Sequence, residues 1–433
     1  MKTKMMALWM VMVVLMGTVC AGALADDHKT LTVGADEGYK TIQAAIDHIA
    51  EQPEEDRTGW TIRIMNGEYD RFTVPHYSSC KIADLKMIGE SGEGVIVHAL
   101  TDEDRGALDN GGINIYGKNV TLQNMTIKAG ASRKSWSDAA ISTHHGAIGG
   151  AEISLSVDNC TLVGPGIDKG ATYGIFWACS KMNVTNCTIS GFANAIEFMN
   201  DGFRVPAGET FYFTDNTIIG SSFAIHGYMG GGNGGGTLLI ADNTIAGTDS
   251  LRSKVIVQDN AANSLVADIK NNTLTNALIG TVNLQDRGDI VSDVLKSNTF
   301  GENCFYVDAI EPGTIEVYAT YTAPEQGYGR WIINDESDLV GSDNPAGALE
   351  FVKQAIAAAN AMGSHTLSIT GIDADHLIRT FTWFKDMIYW ETGNAPVLPA
   401  MPVTGDNSRL ALFAVLLALS VAGLMVCRRR SER

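Results

Sequence analysis

Runs in which apolar and polar residues alternate recur along this chain, among them Val120-Thr121-Leu122, Leu155-Ser156-Val157 and Phe211-Tyr212-Phe213. A period of two is that of a strand with one buried face. Each run leads into a short phrase: Gln123-Asn124-Met125-Thr126-Ile127, Asp158-Asn159-Cys160-Thr161-Leu162, Thr185-Asn186-Cys187-Thr188-Ile189, Thr214-Asp215-Asn216-Thr217-Ile218, Ala241-Asp242-Asn243-Thr244-Ile245, Lys270-Asn271-Asn272-Thr273-Leu274 and Lys296-Ser297-Asn298-Thr299-Phe300. From one threonine to the next the steps are 35, 27, 29, 27, 29 and 26 residues. A unit this short cannot bury its apolar face alone. The repeat therefore predicts coils stacked about 4.8 Å apart, each strand pairing with its counterpart in the next coil. That is an all-β solenoid, a parallel β-helix.

The phrase itself reads as a tight bend between two strands of one coil. The residue before its threonine is Met125, Cys160 and Cys187, then Asn216, Asn243, Asn272 and Asn298. If this position points inward, the four asparagines stack as an amide ladder, because buried amides need partners. Met125, Cys160 and Cys187 then act as apolar fillers, and a disulfide between the two cysteines is the less favoured alternative.

An open stack exposes its core at both ends, so each end needs a cover. Residues Tyr39 to Ala50 place Ile42, Ile46 and Ile49 on one helical face, which suits an N-terminal capping helix. After Phe300 the phrase stops. Thr314 to Thr322 and Arg330 to Ile333 alternate as strands, Pro345 to Met362 reads as a helix with Leu349, Val352, Ile356 and Ala359 on one face, and Thr366 to Tyr389 is strand-like. These form an expected C-terminal α/β cover. The chain thus divides into a β-helix over 26–310, C-terminal strands and helix over 311–390, and a spacer over 391–400.

The N-terminal coils are familiar. Gly38-Tyr39-Lys40-Thr41-Ile42-Gln43-Ala44-Ala45-Ile46, then Ile62 to Tyr69, Met87-Ile88-Gly89-Glu90 and Asn119 to Ile127, resemble pectin methylesterases of the pectin lyase-like superfamily over roughly residues 31–130. The resemblance implies a right-handed β-helix and a carbohydrate ligand. The esterase's oxyanion glutamines, its aspartate segment and its later arginine have no match further along. Nor are the catalytic elements of polygalacturonases or pectate lyases present. Fold resemblance without the site is weak evidence for activity.

The two ends of the sequence concern export. Residues 1–25 combine Lys2 and Lys4, an apolar run and Ala23-Leu24-Ala25, and are expected to be a signal peptide cleaved after Ala25. At the other end, Met401-Pro402-Val403-Thr404-Gly405 resembles the LPxTG sorting signal of Gram-positive surface proteins, with Met401 in place of the usual leucine. An apolar stretch over 410–427 and Arg428-Arg429-Arg430 complete the three-part order over 401–433. The resemblance implies that sortase cuts between Thr404 and Gly405 and joins Thr404 to peptidoglycan. The membrane is then a partner only before that cut, and the mature protein is expected to be secreted and anchored in the cell wall. A plain C-terminal membrane anchor is the alternative.

Composition adds one exclusion. The formal charge of −18 becomes −23 once the processed ends, with seven basic and two acidic residues, are removed. Nucleic acid is therefore not an expected partner. Seven cysteines at irregular spacing form no disulfide framework, and no metal-ligand spacing occurs.

Candidate chemistry lies on the strand ahead of each bend. Gly174 to Trp177, Ala195 to Phe198 and Ala224 to Gly227 line up, and Val255 to Gln258 and Val282 to Gln285 are expected to continue the stack. With Ile175, Ile196 and Ile225 inward, Phe176, Glu197 and His226 face outward on neighbouring rungs. A carboxylate beside an imidazole can act as general acid or base, and Asp201 and Arg204 follow closely. Two long interruptions, Lys128 to Glu152 and Gly220 to Gly236, add Trp136, His144 and Tyr228. Phe176, Trp177, Trp136, Tyr228 and His144 are expected to contact a polysaccharide, with a purely structural polar ladder as the competing reading. Gln258-Asp259 and Gln285-Asp286 lie 27 residues apart and offer a candidate calcium site if they stack. The expected function is polysaccharide binding, with lyase, esterase or hydrolase activity open. The alternative is a non-catalytic adhesin or display rod.

Overall fold

The structure is a computed structural model that describes residues 29–100, 112–130, 139–143, 152–167, 173–177, 181–200, 208–229, 236–248, 252–259, 266–282, 284, 287–301, 304–310, 313–320, 329–333, 348–370 and 388–392. The expected signal peptide, the sorting residues Met401, Pro402, Thr404 and Gly405, the apolar stretch 410–427 and the glycine-rich residues 230–235 lie outside these residues. Among the described residues no helix is long and apolar enough to cross a membrane.

The alternating runs form a parallel β-helix. One coil comprises Lys181–Thr185, Thr188–Ser190 and Asn194–Asn200, and the next begins at Thr210–Thr214. Like strands of successive coils stack, giving a first sheet from Thr30–Val33 to Val266–Lys270, a second from Gly67–Asp70 to Thr299–Phe300, and a third that starts at Thr73–Val74. Inward residues such as Val157, Val184, Phe213 and Ile240 fill one continuous apolar core.

Two features of the repeated phrase make the bend. Its second residue is left-handed in six coils: Asn124, Asn159, Asn186, Asp215, Asp242 and Asn271 have φ between 48° and 59°. Asparagine and aspartate tolerate that region better than other residues with a side chain. Its third residue points inward, and the expected ladder is present. Asn216 donates to Asn243 Oδ1 at 3.0 Å, Asn243 to Asn272 Oδ1 at 2.8 Å, and Asn272 to Asn298 Oδ1 at 2.8 Å. The ladder stops where sulfur replaces the amide. Cys187 N–H donates to Asn216 Oδ1, while the Cys160 and Cys187 thiols are free and bond to backbone carbonyls.

Both ends of the stack are covered by helices. Ile42–Glu51 is capped by Thr41 Oγ1, which accepts from Ala44 N–H at 3.1 Å, and buries Ile42, Ala45, Ile46 and Ile49 on the first coil. At the far end the expectation of a strand before every phrase is corrected. Arg287–Ser297 is a helix where the strand after Val266–Lys270 would lie. A last strand would expose an unpaired edge, whereas a helix satisfies its own backbone and seals the core with Val294, 1 % exposed. Asn298 Nδ2 donates to Val294 O at 2.9 Å and ties the ladder to this lid.

The expected strand at Val282 to Gln285 is also corrected: the third sheet continues through Ala277–Val282. Gln258 pairs with Val282, while Gln285 and Asp286, the other half of the candidate calcium site, lie outside the described residues. The third sheet then turns antiparallel, Phe305–Ile310 with Thr314–Ala319 and that with Thr366–Thr370. Helix Ala348–Met362 and the paired strands Gly329–Ile333 and Ile388–Thr392 complete the cover. A second apolar cluster joins Val352, Trp331 and Leu367 to Ile256, Leu278 and Val307, which lie on the outward face of the third sheet. That face is therefore partly covered, a fact that bears directly on the site.

Candidate functional site

The third sheet fixes the register of the candidate residues. Phe176 pairs with Glu197, Glu197 with His226, and His226 with Ile256, so all four occupy one outward row. The inward row beside it is Ile175, Ile196, Ile225 and Val255, each buried. The two segments read as interruptions contribute rungs of their own: Ala139–Ser142 and Phe223–Met229 are strands of this sheet.

Glu197 and His226 are in direct contact. His226 Nδ1 lies 3.0 Å from both Oε1 and Oε2 of Glu197. Asn194 Nδ2 donates to the same carboxylate. The Glu197 residue is only 5 % exposed, although it faces outward. Burying a carboxylate is costly without partners, and the imidazole and the amide supply them. The His226 side chain is 25 % exposed, and its Nε2 makes no hydrogen bond among the described residues. When neutral, His226 holds its proton on Nδ1 toward Glu197, which leaves the Nε2 lone pair directed away from the pair.

Aromatic and cationic groups border the dyad. The Phe223 ring lies 4.9 Å from the His226 ring, and the Lys254 ammonium sits 4.9 Å from the centre of the Phe223 ring. Tyr173, half-buried, stands on the rung beside Asn194 and stacks edge-on to Phe176 at 5.2 Å. Burial, and secondarily the Glu197 charge, push the Tyr173 phenol up to about 12, so it remains a neutral donor. Phe176, expected to touch a ligand, faces outward but is 3 % exposed.

Of the other expected site residues, Asp201, Arg204, Trp136 and His144 lie outside the described residues, as do the side chains of Trp177 and Tyr228. The backbone of Trp177 pairs with Phe198 and that of Tyr228 with Met199 and Gln258. Sequence reasoning missed Asn194, Tyr173, Phe223 and Lys254. Their signal was available, since Asn194 pairs with Tyr173 and Phe223, and Phe223 with Lys254, along a second outward row. Among the described residues no group of three or more His, Cys, Asp or Glu side chains is arranged to hold a metal ion.

No family model matches the chain. No curated protein matches it either. Among solved structures, a pectin methylesterase from Aspergillus niger is similar with a TM-score of 0.34 at 15% identity, over 65% of this chain and 84% of that one. Pectin methylesterase from carrot gives a TM-score of 0.32 at 15% identity, over 65% and 82%. Pectin methylesterase PemA from Erwinia chrysanthemi gives 0.29 at 15% identity, over 59% and 80%. At these scores the overlap is partial, and the β-helix assignment rests on the strand register itself.

Proposed function

We propose that this chain is a surface protein that binds polysaccharide on the outward face of its third sheet, with the Glu197–His226 dyad as general base. The observation that carries this reading is the dyad's geometry. A buried carboxylate holds Nδ1 of a partly exposed imidazole, and Nε2 is left without a hydrogen bond among the described residues. Carboxylate–imidazole pairs of this kind orient the ring and stabilise the imidazolium formed when Nε2 takes a proton from a hydroxyl or water. Export through the signal peptide and attachment through Thr404 to peptidoglycan complete the proposal.

A second reading, a non-catalytic display rod, is favoured by one observation: Glu197 is 5 % exposed and its carboxylate is already engaged by His226 and Asn194. One assay separates the two. The purified chain, with and without calcium, is incubated with a polysaccharide panel and followed for unsaturated product, released methanol and reducing ends. Activity that is lost in His226→Ala and Glu197→Gln supports the dyad; silence on all three readouts favours the rod. Cell fractionation of a Thr404→Ala chain tests anchorage, and retention in the wall fraction would sink that part.

A further inference from the structure

The solenoid carries a second polar depression on its first sheet, away from the dyad. It is a cavity of about 340 Å³, within the size range of small-molecule sites. Its floor and walls come from four successive coils, each contributing two outward residues two positions apart.

The first coil gives Asp84 and Lys86, the second Asn119 and Thr121, the third Ser154 and Ser156, and the fourth Lys181 and Asn183. Strand register puts Lys86, Thr121, Ser156 and Asn183 in one row. Ser154 pairs with Lys181 in the other. The middle two coils carry only short hydroxyl and amide side chains. Lysines therefore stand at diagonally opposite corners of a shallow trough, three coil spacings or about 14 Å apart along the axis.

The polar groups are unequally committed. The Asp84 carboxylate accepts from Thr58 Oγ1 at 3.0 Å and from Asn119 Nδ2 at 2.9 Å. Ser154 Oγ donates to Asn119 Oδ1 at 2.9 Å and accepts the Asn119 N–H at 2.7 Å. These bonds brace the wall and engage one lone pair on each Asp84 oxygen. Lys86 is exposed and makes no ion pair among the described residues, and the Thr121 hydroxyl has no partner among them. Lys181 bonds Glu209 at 2.7 Å but keeps a side chain that is 40 % exposed.

We propose that this trough binds an anionic glycan, its carboxylates meeting Lys86 and Lys181 and its hydroxyls meeting Thr121, Ser156 and Asn183. Asn183 Nδ2 donates to Ser156 Oγ at 3.3 Å and Asn183 Oδ1 accepts the Tyr212 N–H at 3.2 Å, so the groups left for a ligand are chiefly the Lys86 ammonium and the Thr121 and Ser156 hydroxyls, donors that select a ligand rich in acceptors with negative charge. Stacked coils present such donors at intervals of about 4.8 Å, which suits an extended sugar chain lying along the axis. The trough presents two lysines and one carboxylate on a chain of formal charge −18, with Lys181 shared with Glu209, so recognition depends on the Lys86 end of this patch rather than on the protein's overall field. The assignment is independent of the dyad.

The test is affinity electrophoresis of the full chain in gels containing alginate, dextran sulfate or neutral dextran. Alginate is expected to retard the wild type and dextran is not. Lys86→Ala, an exposed site whose loss leaves no partner orphaned, is expected to weaken the apparent affinity about tenfold, the scale of one charge-assisted hydrogen bond. Thr121→Val keeps the β-branched strand residue and removes only the hydroxyl, with an expected loss of about threefold. Retention is expected to fall with added salt. Glu197→Gln and His226→Ala are expected to migrate as wild type, and circular dichroism verifies that every variant folds. No retardation of the wild type by alginate, equal retardation by dextran, retardation by dextran sulfate alone, or migration of Lys86→Ala identical to wild type would each overturn the proposal. So would loss of alginate binding in the dyad variants, which would place the glycan on the third sheet.

Discussion

Asn243 gives both its backbone N–H and its side-chain amide to one oxygen, Oδ1 of Asn272, at 3.1 and 2.8 Å. Asn216 treats Asn243 in the same way, at 2.9 and 3.0 Å. Asn216, Asn243 and Asn272 thus each accept from the coil before and donate to the coil after, and Asn298 ends the ladder on the helix. Because each also donates to a carbonyl of the neighbouring first-sheet strand, the ladder binds coils and sheets together.

Asn243→Ala is expected to destabilise the protein by about 3 kcal/mol. It leaves the Asn216 N–H and Nδ2 without their acceptor in the core, at roughly 1–3 kcal/mol for each orphaned buried group. Met125→Leu, at the equivalent apolar position, is expected to cost under about 1.5 kcal/mol. Urea unfolding of the two variants checks the contrast, and equal costs would show that the amides add nothing to the stack.

Asp242 has φ of 58° and its bend repeats in every neighbouring coil. Asp242→Gly is expected to be close to neutral. Asp242→Ala is expected to lose about 1 kcal/mol relative to the glycine variant, because only a residue with Cβ pays the left-handed penalty. Thermal melts of the pair decide the sign.

Val294 seals the far end of the core from the helix Arg287–Ser297. Val294→Asp places a charge against the last coil and is expected to loosen this lid. The uncovered strand edge then pairs with other molecules, seen as higher-order species in size-exclusion chromatography. A monodisperse variant with wild-type stability would mean that the helix is not the seal.

Burial raises the thiols of Cys160 and Cys304, to about 12 and about 11, and pushes Cys187 up as well, from an ordinary value of 9.0. Tyr173 is raised from 10.0 to about 12. The unfolded chain ionises first, so the stability from these neutral buried groups is intact below about pH 9 and is lost as pH climbs toward 12. The melting temperature is expected to fall over that window. Peptide mapping after alkylation of the folded protein at pH 8 is expected to find Cys160, Cys187 and Cys304 unmodified, and labelling of all three before unfolding would contradict their burial.

The repeat made the stacking of coils, the tight bend and the asparagine ladder legible without coordinates, because each recurs at identical positions one coil apart; the left-handed backbone at the bend's second residue came only with the structure. The outward row Phe176, Glu197 and His226 was legible for the same reason: alternation says which way a side chain points from its own strand. It does not say what lies over that face. The second apolar cluster covers part of it, and Glu197 ended 5 % exposed, bonded to an Asn194 that no motif had singled out.

Residues 287–297 lost their strand for a reason local pattern cannot carry. The last coil has no successor, so a helix replaces an edge that would have gone unpaired. The pairing of Gln258 with Val282 shows the same limit, since loop length sets register between coils and equal sequence spacing does not guarantee it. The trough between Lys86 and Lys181 draws on four coils separated by loops of different length, and only their stacking brings two lysines 95 positions apart in sequence to one site. The sequence by itself determined the repeating unit, because that unit is built from short-range geometry. Tertiary structure decided exposure, end covers and which outward residues share a cavity, because these depend on what distant segments place against the sheet.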